Sequence, residues 1–337
     1  LGARTTLRYA AGFAMARLRP EPSEIDSKGD WESQRSTLSL GKDEGFAAFV
    51  TRQAGRPAYE GFYRPYAQKV WGLPAADLSH SVAKKRVSTS APLSRLARRE
   101  RFAYPDGGLS TVIHWLQTEA ARVGVELCLG EAWSPSSHDG RPLLFSGSLT
   151  DLVPTPLTHR GLYLVYLSFK TESLGPVETW YSHDPSFWFG RVSQPANYSP
   201  SLKRAEETVL CVEVPEGAWG TGLDFAEGEL LDELVGQLRT ARIVPKGAEL
   251  LDAEQRFLPR VYPLYRRGWL DDWEEAVAAA GRLENVYPFG RQGLFLHCNL
   301  DHCVRIADDV VDHAMGGGQP AEWLATARRY LAVRVRD

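Results

Sequence analysis

The segment Asn285–Met315, with the sequence NVYPFGRQGLFLHCNLDHCVRIADDVVDHAM, constrains the fold more than any other part of the chain. Its apolar start predicts a short strand, and the spacing of its later apolar residues predicts an amphipathic helix. Gly290 and Gly293 lie in the turn between them, where a residue without a Cβ lets backbone N–H groups approach a ligand closely. Asn299 and Asp301 stand where the helix should begin. The sequence therefore predicts a ligand site, of the kind that binds anions, at this turn and helix N-terminus.

Length and charge limit the classes of partner. The chain has 337 residues, a formal net charge of −3, 43% hydrophobic residues and 24% charged residues, all ordinary for a globular protein. The short basic runs Lys84–Arg86 and Arg95–Arg101 are typical of solvated surfaces, so we expect no nucleic-acid partner. No apolar run has the length of a membrane span. We expect a soluble protein with one large α/β domain or two domains.

The cysteines indicate neither a disulfide framework nor a common zinc site. They are Cys128, Cys211, Cys298 and Cys303. Most of them lie far apart, so we expect free thiols in a reducing cytoplasm. Cys298 and Cys303 stand beside His297 and His302, which raises the question of a metal ion. Because no second group completes a tetrahedral ligand set, we predict that no metal is bound.

Hydrophobic periodicity predicts an α/β chain of the α+β type, in which helices surround an antiparallel sheet. Gly161–Lys170 is the clearest strand. Val177–Tyr181, Phe187–Val192 and Thr208–Val214 are expected to pair with it. Prolines interrupt Arg256–Tyr265, which predicts a strand at a sheet edge or beside a cavity.

Helical spacing and a change in composition divide the remaining chain. Pro20–Gly41 lacks periodicity and predicts a mobile linker. Val125–Leu129 follows the helix-ending Gly124 and predicts a further strand. The predicted helices are Thr5–Arg19, Glu44–Arg56, Leu109–Val123, Asp224–Arg239, Asp271–Arg282 and Pro320–Val335.

Five segments, in the same order, resemble the FAD-dependent amine oxidase superfamily, in the branch that contains protoporphyrinogen oxidase-like proteins and UDP-galactopyranose mutases. They are FYRPYAQKVWG at 62–72, YPDGGLSTVIHWL at 104–116, RGLYLVYLSF at 160–169, FGRVSQPANYSP at 189–200 and GRQGLFLHCNLDH at 290–302. The resemblance spans most of the chain. It implies the remnant of a flavoprotein FAD-binding domain, an antiparallel-sheet substrate domain and a helical subdomain.

The resemblance also implies how the chain is divided. Residues 1–103 would form the helical subdomain, with the mobile linker near residues 20–41. Residues 104–157 and 283–337 would form the FAD-binding portion. Residues 158–282 would form the sheet domain that lies over the flavin ring and holds the substrate.

The resemblance places two sets of residues at the implied site. Those expected to contact FAD are Gly290, Arg291, Gln292, Gly293, Asn299 and Asp301. Those expected near a small-molecule substrate are Lys69, Trp71, Tyr181, Arg191, Tyr198, Tyr262 and Tyr265. No residue is singled out as catalytic. A plainer reading remains open, in which Asn299 and Asp301 cap the last long helix and the aromatic residues pack in the core.

The chain departs from the family pattern at its start. The family begins with a strand, a GxGxxG turn and a helix that hold the adenosine half of FAD, and this sequence has no such segment. Gly316–Gly318 follows a helix, which is the wrong context. Because the first residue is Leu, we expect a processed or truncated chain. The segment could be missing from this sequence, supplied by a partner chain, or lost together with FAD binding.

Three functions follow from the resemblance and its departures. The first is a flavin-dependent oxidoreductase that transfers hydride between FAD and a small organic or sugar-nucleotide-like substrate. The second is a non-redox sugar mutase that uses reduced flavin. The third is a cofactor-free pseudoenzyme or partner subunit, which could act as a homo-oligomer or with another chain.

Overall fold

A computed structural model describes residues 43–86, 104–131, 133–134, 138–217 and 222–333. Both the predicted helix Thr5–Arg19 and the predicted linker Pro20–Gly41 lie outside these ranges.

The strands within the described residues form two sheets. In chain order they are β1 (Leu143–Phe145), β2 (His159–Phe169), β3 (Thr179–Tyr181), β4 (Arg191–Ser193), β5 (Thr208–Pro215), β6 (Leu250–Pro263) and β7 (Val286–Pro288). Strands β1 and β7 pair in parallel, and the other five form a sheet in the order β3-β4-β5-β2-β6. All pairs of the larger sheet are antiparallel. The predicted α/β fold class is confirmed.

The α-helices of the described residues are interspersed with the strands along the chain. They are α1 (Phe46–Ala54), α2 (Arg56–Ala58), α3 (Arg64–Trp71), α4 (His80–Arg86), α5 (Leu109–Arg122), α6 (Leu149–Leu152), α7 (Gly228–Thr240), α8 (Trp269–Ala280), α9 (Gly290–Gly293), α10 (Leu300–Met315) and α11 (Pro320–Ala327). A π-helical turn at Tyr59–Tyr63 joins α2 to α3, and a 3₁₀-helix at Arg328–Ala332 follows α11.

One face of the five-stranded sheet packs on helix α7. Alternate residues of β2 point to this face because successive side chains of a strand point to opposite sides. Val165 and Leu167 of β2 and Val212 of β5 are buried there, together with Leu234 and Leu238 of α7. The opposite face of the sheet carries more polar side chains and is available for a ligand site.

A second core holds the helices and the parallel strands together. Trp273 of α8 and Trp323 of α11 are among its largest fully buried side chains. Each ring donates its N–H to a backbone carbonyl of the β7–α9 region: Trp273 to Leu294 at 2.9 Å and Trp323 to Pro288 at 2.7 Å. Residues from all three predicted segments share this core. The predicted domain boundaries stay a prediction.

Arg160 fastens helix α3 to the large sheet. Its Nη1 donates to the carbonyl oxygen of Lys69 at 2.6 Å, and its Nε donates to that of Glu216 at 2.7 Å. Gly72 ends α3 with a φ of +66°, and a Cβ there would lie 2.8 Å from the guanidinium. A side chain at position 72 would therefore be strained and would displace Arg160.

Several predicted elements differ from the structure. Val125–Leu129 is not a strand, and Val125, Leu127 and Leu129 are 51%, 49% and 80% exposed. An isolated strand gains no ladder hydrogen bonds, and no other strand of the described residues pairs with it. The predicted strand Phe187–Val192 begins only at Arg191, and the predicted final helix Pro320–Val335 remains α-helical only to Ala327.

Helix α5 leaves apolar side chains uncovered by the described residues. None of its residues is buried. Ile113, Trp115 and Leu116 are 51%, 60% and 49% exposed. Exposed apolar surface, where it forms a large patch, marks a site of contact with a protein, a membrane or a ligand.

We expect Gly293→Ala to destabilise the fold by about 1–3 kcal/mol, because overpacking forces the backbone to move. A Cβ at this position would lie 2.6 Å from the carbonyl oxygen of Phe145 in β1. Chemical denaturation monitored by circular dichroism measures the change in the free energy of unfolding.

Gly236→Ala is the matched control, since a Cβ in the middle of α7 would meet nothing within 4 Å. The control should be neutral or stabilise by up to about 1 kcal/mol. If Gly293→Ala were as stable as the control, the proposed close packing of α9 on β1 would be wrong.

Candidate functional site

A cavity of about 660 Å³ lies between the open face of the large sheet and the glycine turn. This volume falls in the range of small-molecule and cofactor pockets, roughly 300–1,000 Å³. The lining includes Tyr66, Val70, Ser148, Leu162, Leu164, Tyr181, Arg191, Glu213, Leu258, Arg260, Tyr262, Arg291, Gln292, His297 and Asn299. The segment Asn285–Met315, which constrains the fold most, thus contributes one wall of a cavity.

Strand pairing sets the sheet wall. Tyr181 is opposite Arg191, Arg191 is opposite Glu213, and Glu213 is opposite Leu164. Directly opposed residues of antiparallel strands point to the same face. Four strands therefore contribute one row of side chains. The row begins at the Tyr181 ring, passes through the ion pair of Arg191 and Glu213, and ends at Leu164.

The ion pair in this row is partly buried. The Arg191 guanidinium binds the Glu213 carboxylate, whose side chain is 8% exposed. Burial opposes the charged guanidinium, but the Glu213 carboxylate outweighs it and raises the pKa of Arg191. The Tyr262 hydroxyl donates to Glu213 Oε2 at 3.5 Å. The wall is polar but nearly neutral in charge, which suits a substrate held by hydrogen bonds.

Arg291 and Gln292 join the opposite wall to the sheet. The β2–β6 pairing shifts register between Arg160 and Leu162, where β6 carries extra residues around Pro259. Arg291 Nη2 donates to Val261 O at 2.8 Å, and Gln292 Nε2 donates to Arg260 O at 2.6 Å. Both acceptors lie in the bulged part of β6, where the ladder to β2 is interrupted.

Gln292 also presents an acceptor that the described residues leave unsatisfied. Its Oε1 is buried and accepts no hydrogen bond from them. A buried acceptor without a donor costs about 1–3 kcal/mol. Because Gln292 lines the cavity, a ligand with an N–H or O–H group at this position would supply the missing donor.

Asn299 begins helix α10 as the sequence predicts. Its backbone N–H donates to His302 Nδ1 at 3.0 Å, as part of a capping box. Asn299 also lines the cavity, so capping and ligand contact are compatible. Asp301 is not among the residues that line the cavity, and its side chain is 78% exposed. Its predicted contact with FAD stays a prediction.

Glycine is required at the two turn positions for different structural reasons. Gly290 has a φ of +72°, a conformation that disfavours other residues. Gly293 is held close to the backbone of Phe145. Neither residue is among those that line the cavity. Their predicted role in FAD binding stays a prediction, and the structure shows that local geometry already demands both.

Tyr265 holds the segment between the turn and helix α10. Its buried hydroxyl donates to Phe295 O at 3.0 Å and accepts the backbone N–H of His297 at 2.9 Å. Phe295 has a φ of +51°, which is unusual for a residue other than glycine. Tyr265 therefore positions the cavity residue His297 from within the core and does not itself line the cavity.

The structure brings together part of the predicted substrate set. Tyr181, Arg191 and Tyr262 line the cavity. The others lie elsewhere. Trp71 is buried in the helical core. Tyr198 has its hydroxyl bonded to Thr179. Their role near a substrate stays a prediction.

Lys69 lies beside the cavity wall but is not part of it. Its ammonium group donates to the carbonyl oxygens of Asp184 and Phe189, the latter at 3.1 Å. Burial lowers the pKa of Lys69 to about 8. The side chain therefore connects α3 to the loop before β4.

Sequence reasoning missed several cavity residues. Glu213, Arg260, Leu164 and Ser148 line the cavity but were not among the predicted site residues. The signal for Glu213 was present in the alternation of TVLCVEVP, which puts Cys211 and Glu213 on the face opposite the buried valines. Ser148 carried no such signal, because only the fold brings the start of α6 to this place.

The described residues offer neither a metal cluster nor a membrane-spanning helix. They contain no group of three or more His, Cys, Asp or Glu side chains able to hold a metal ion. Within the same ranges, no helix has the length and apolar character needed to cross a membrane.

Known proteins resemble this chain in fold. No protein-family model matches it, and no curated protein matches it in sequence. A solved structure of reduced UDP-galactopyranose mutase has a TM-score of 0.66 at 16% identity, covering 99% of this chain and 76% of that chain. A candidate protoporphyrinogen oxidase from Exiguobacterium sp. 255-15 has a TM-score of 0.58 at 15% identity, covering 94% and 73%. The chain has the fold that these two proteins share.

We expect His159 to make the fold sensitive to mild acid. Burial, with the charges of Arg260 and Arg291, lowers the pKa of His159 from 6.5 to about 4. Between these values the unfolded chain binds the proton that the folded chain rejects, so stability falls as the pH falls from 6.5 to 4. His159→Gln should flatten this loss, measured by denaturation midpoints across the pH range.

His114→Gln is the control, since His114 lies exposed on α5. This variant should lose stability with falling pH as the unmodified chain does. An unchanged pH dependence in His159→Gln would contradict the assignment.

We expect Tyr265→Phe to destabilise the chain by about 1–3 kcal/mol, because it leaves the buried His297 N–H without an acceptor. Tyr163→Phe tests the loss of a hydroxyl from another buried ring, one with no hydrogen bond to the described residues. The control should change stability by less than about 0.5 kcal/mol. Thermal and chemical denaturation measure the stability of both variants. If Tyr265→Phe and Tyr163→Phe lost the same stability, Tyr265 would not stabilise the segment that holds His297.

Proposed function

We propose that the cavity binds the isoalloxazine end of FAD and that the chain belongs to a flavin-dependent oxidoreductase. The observation that carries this proposal is that Gln292, a residue that lines the cofactor-sized cavity, has a buried Oε1 that accepts no hydrogen bond from the described residues. An isoalloxazine ring is flat and carries an N–H group, so it offers both the shape and the donor. The resemblance at Gly290–His302 and the shared fold support the same ligand.

The cavity walls fit the two sides of such a ring. Leu162, Leu164 and Leu258 of the sheet offer apolar surface that excludes water. Gln292 and Asn299 on the opposite wall offer hydrogen-bonding groups. A few placed polar groups in an otherwise apolar lining fix the orientation of a ligand. The residues present therefore fit a flavin.

The part of the sheet wall that carries Tyr181, Arg191 and Tyr262 is the proposed substrate position. Tyr181 and Tyr262 can donate and accept hydrogen bonds, and Arg191 presents N–H groups next to Glu213. These side chains would orient a small organic substrate carrying hydroxyl or carbonyl groups. The bound flavin would supply the two-electron chemistry, while the protein supplies position and electrostatics.

A non-redox sugar mutase that uses reduced flavin is the second candidate. The fold similarity to UDP-galactopyranose mutase and the tyrosine and arginine row on the sheet favour it. Incubation of the reduced protein with a panel of nucleotide sugars, followed by chromatography, distinguishes the two. An isomerised sugar without net oxidation would support the mutase.

The adenosine half of FAD needs a host that the described residues do not form. Their parallel sheet has two strands, β1 and β7, whereas nucleotide-binding sheets bury more parallel strands between helices. The exposed apolar side chains of α5 lie on surface that such a unit would cover. We include in the proposal that polypeptide outside the described residues holds this half, within this chain or in a partner.

We expect the purified chain to bind both FAD and FMN, because the proposed contacts are to the ring that both share. Gln292→Ala should weaken the binding of FAD and of FMN about tenfold, because a tenfold loss of affinity corresponds to about one buried hydrogen bond. Quenching of flavin fluorescence during titration measures the dissociation constants.

Gln117→Ala, at an exposed position on α5, is the control and should leave both affinities unchanged. Thermal unfolding of each variant separates lost binding from lost folding. If the native protein carried no flavin and took up neither compound, the flavin proposal would fall, and the cofactor-free subunit would take its place.

A further inference from the structure

Two cysteine sulfurs lie close together at the start of helix α10. Cys298 Sγ and Cys303 Sγ are 3.7 Å apart. Cys298 is 1% exposed, directly before the capping residue Asn299, and Cys303 is half-buried in the first turns of the helix. A disulfide needs sulfurs about 2.05 Å apart. The two sulfurs are in contact but not bonded, and oxidation would have to bring them closer together.

The surroundings favour the thiolate of Cys303. The hydrogen bond with Cys298 lowers the pKa of Cys303 to about 6, helped by Arg291 and opposed by burial and by Asp301. In contrast, burial raises the pKa of Cys211 to about 11. The thiolate is the nucleophilic form of cysteine, so these two thiols should differ widely in reactivity at neutral pH.

We propose that Cys298 and Cys303 form a redox-active dithiol that small disulfides oxidise reversibly to an intramolecular disulfide. The half-buried Cys303 is the attacking sulfur, and the buried Cys298 is the resolving sulfur. The reaction needs no flavin, so it stands apart from the proposed cofactor binding.

The oxidation balances in two exchange steps. The Cys303 thiolate attacks a sulfur of glutathione disulfide, the S–S bond of the reagent breaks, and one glutathione leaves and takes up a proton. Cys298 then gives up its proton and attacks Cys303 Sγ, which releases the second glutathione. The protein loses two electrons and two protons, and one glutathione disulfide becomes two glutathione molecules.

The position of the pair connects its redox state to the cavity. His297 and Asn299, the neighbours of Cys298, both line the cavity. The Cys298 carbonyl also accepts a hydrogen bond from Arg291 Nη1 at 2.9 Å. Closing the disulfide must draw Cys298 toward α10, and we expect the cavity wall to move with it.

Digestion after oxidation provides a direct test. Cleavage after Arg291 and Arg305 yields one peptide, residues 292–305, which holds both Cys298 and Cys303 but neither of the other cysteines. After treatment of the full chain with glutathione disulfide, this peptide should be lighter by two hydrogens in mass spectrometry. A reducing agent should restore its original mass.

Single-cysteine variants show which sulfur attacks the reagent and which one resolves the mixed disulfide. Cys298→Ala should trap glutathione on Cys303 as a stable mixed disulfide, whereas Cys303→Ser should form neither this adduct nor the internal disulfide. Cys298→Ser is the second resolving-position variant, in case the smaller alanine disturbs the buried site. Cys128→Ser, at an exposed position, is the matched control and should still form the internal disulfide.

Alkylation rates test the reactivity of Cys303. At pH 6.5 its reaction with iodoacetamide should be roughly tenfold faster than that of exposed Cys128, because the Cys303 thiol is mostly ionised at this pH. The proposal is overturned if Cys128 reacts as fast, if Cys298→Ala traps no adduct, or if peptide 292–305 keeps its mass in glutathione disulfide. Circular dichroism of each variant shows that it is folded.

Discussion

The guanidinium of Arg291 joins parts of the chain on which the whole site depends. It donates to Cys298 O, just before helix α10, and to Val261 O in the bulged part of strand β6. Gln292 adds a bond to the next carbonyl of the bulge. A hydrogen bond from a charged donor contributes about 1.5–3 kcal/mol, so these contacts hold the glycine turn at a set distance from the sheet.

The cavity follows from this connection. Each wall belongs to its own packed core: the sheet rests on α7, and the turn is held by the indole donors of Trp273 and Trp323. Because each wall is anchored in its own core and Arg291 and Gln292 join the two, the walls do not collapse into the space between them. A buried acceptor such as Gln292 Oε1 can therefore persist without a donor. The cavity is therefore a consequence of how the two cores meet.

Local patterns in the sequence were reliable where one element could explain them. The strand predicted at Gly161–Lys170 appears as β2 with nearly the same bounds, and the helix start at Asn299 is confirmed. The prolines of Arg256–Tyr265 correctly indicated an edge strand beside a cavity. Val125–Leu129 has the composition of a strand but no partner in the described residues, so its prediction was wrong.

The sequence by itself determined most of the longer elements, their order, the glycine turn and the amphipathic helix that follows it, because these depend on residues only a few positions apart. The tertiary structure alone decided that Glu213 faces the cavity, that Tyr265 braces it from the core, and that Cys298 and Cys303 lie 3.7 Å apart. Such placements depend on strand register, on a bulge and on side-chain packing between distant segments. Their energies arise only when the chain is folded, and periodicity does not encode them.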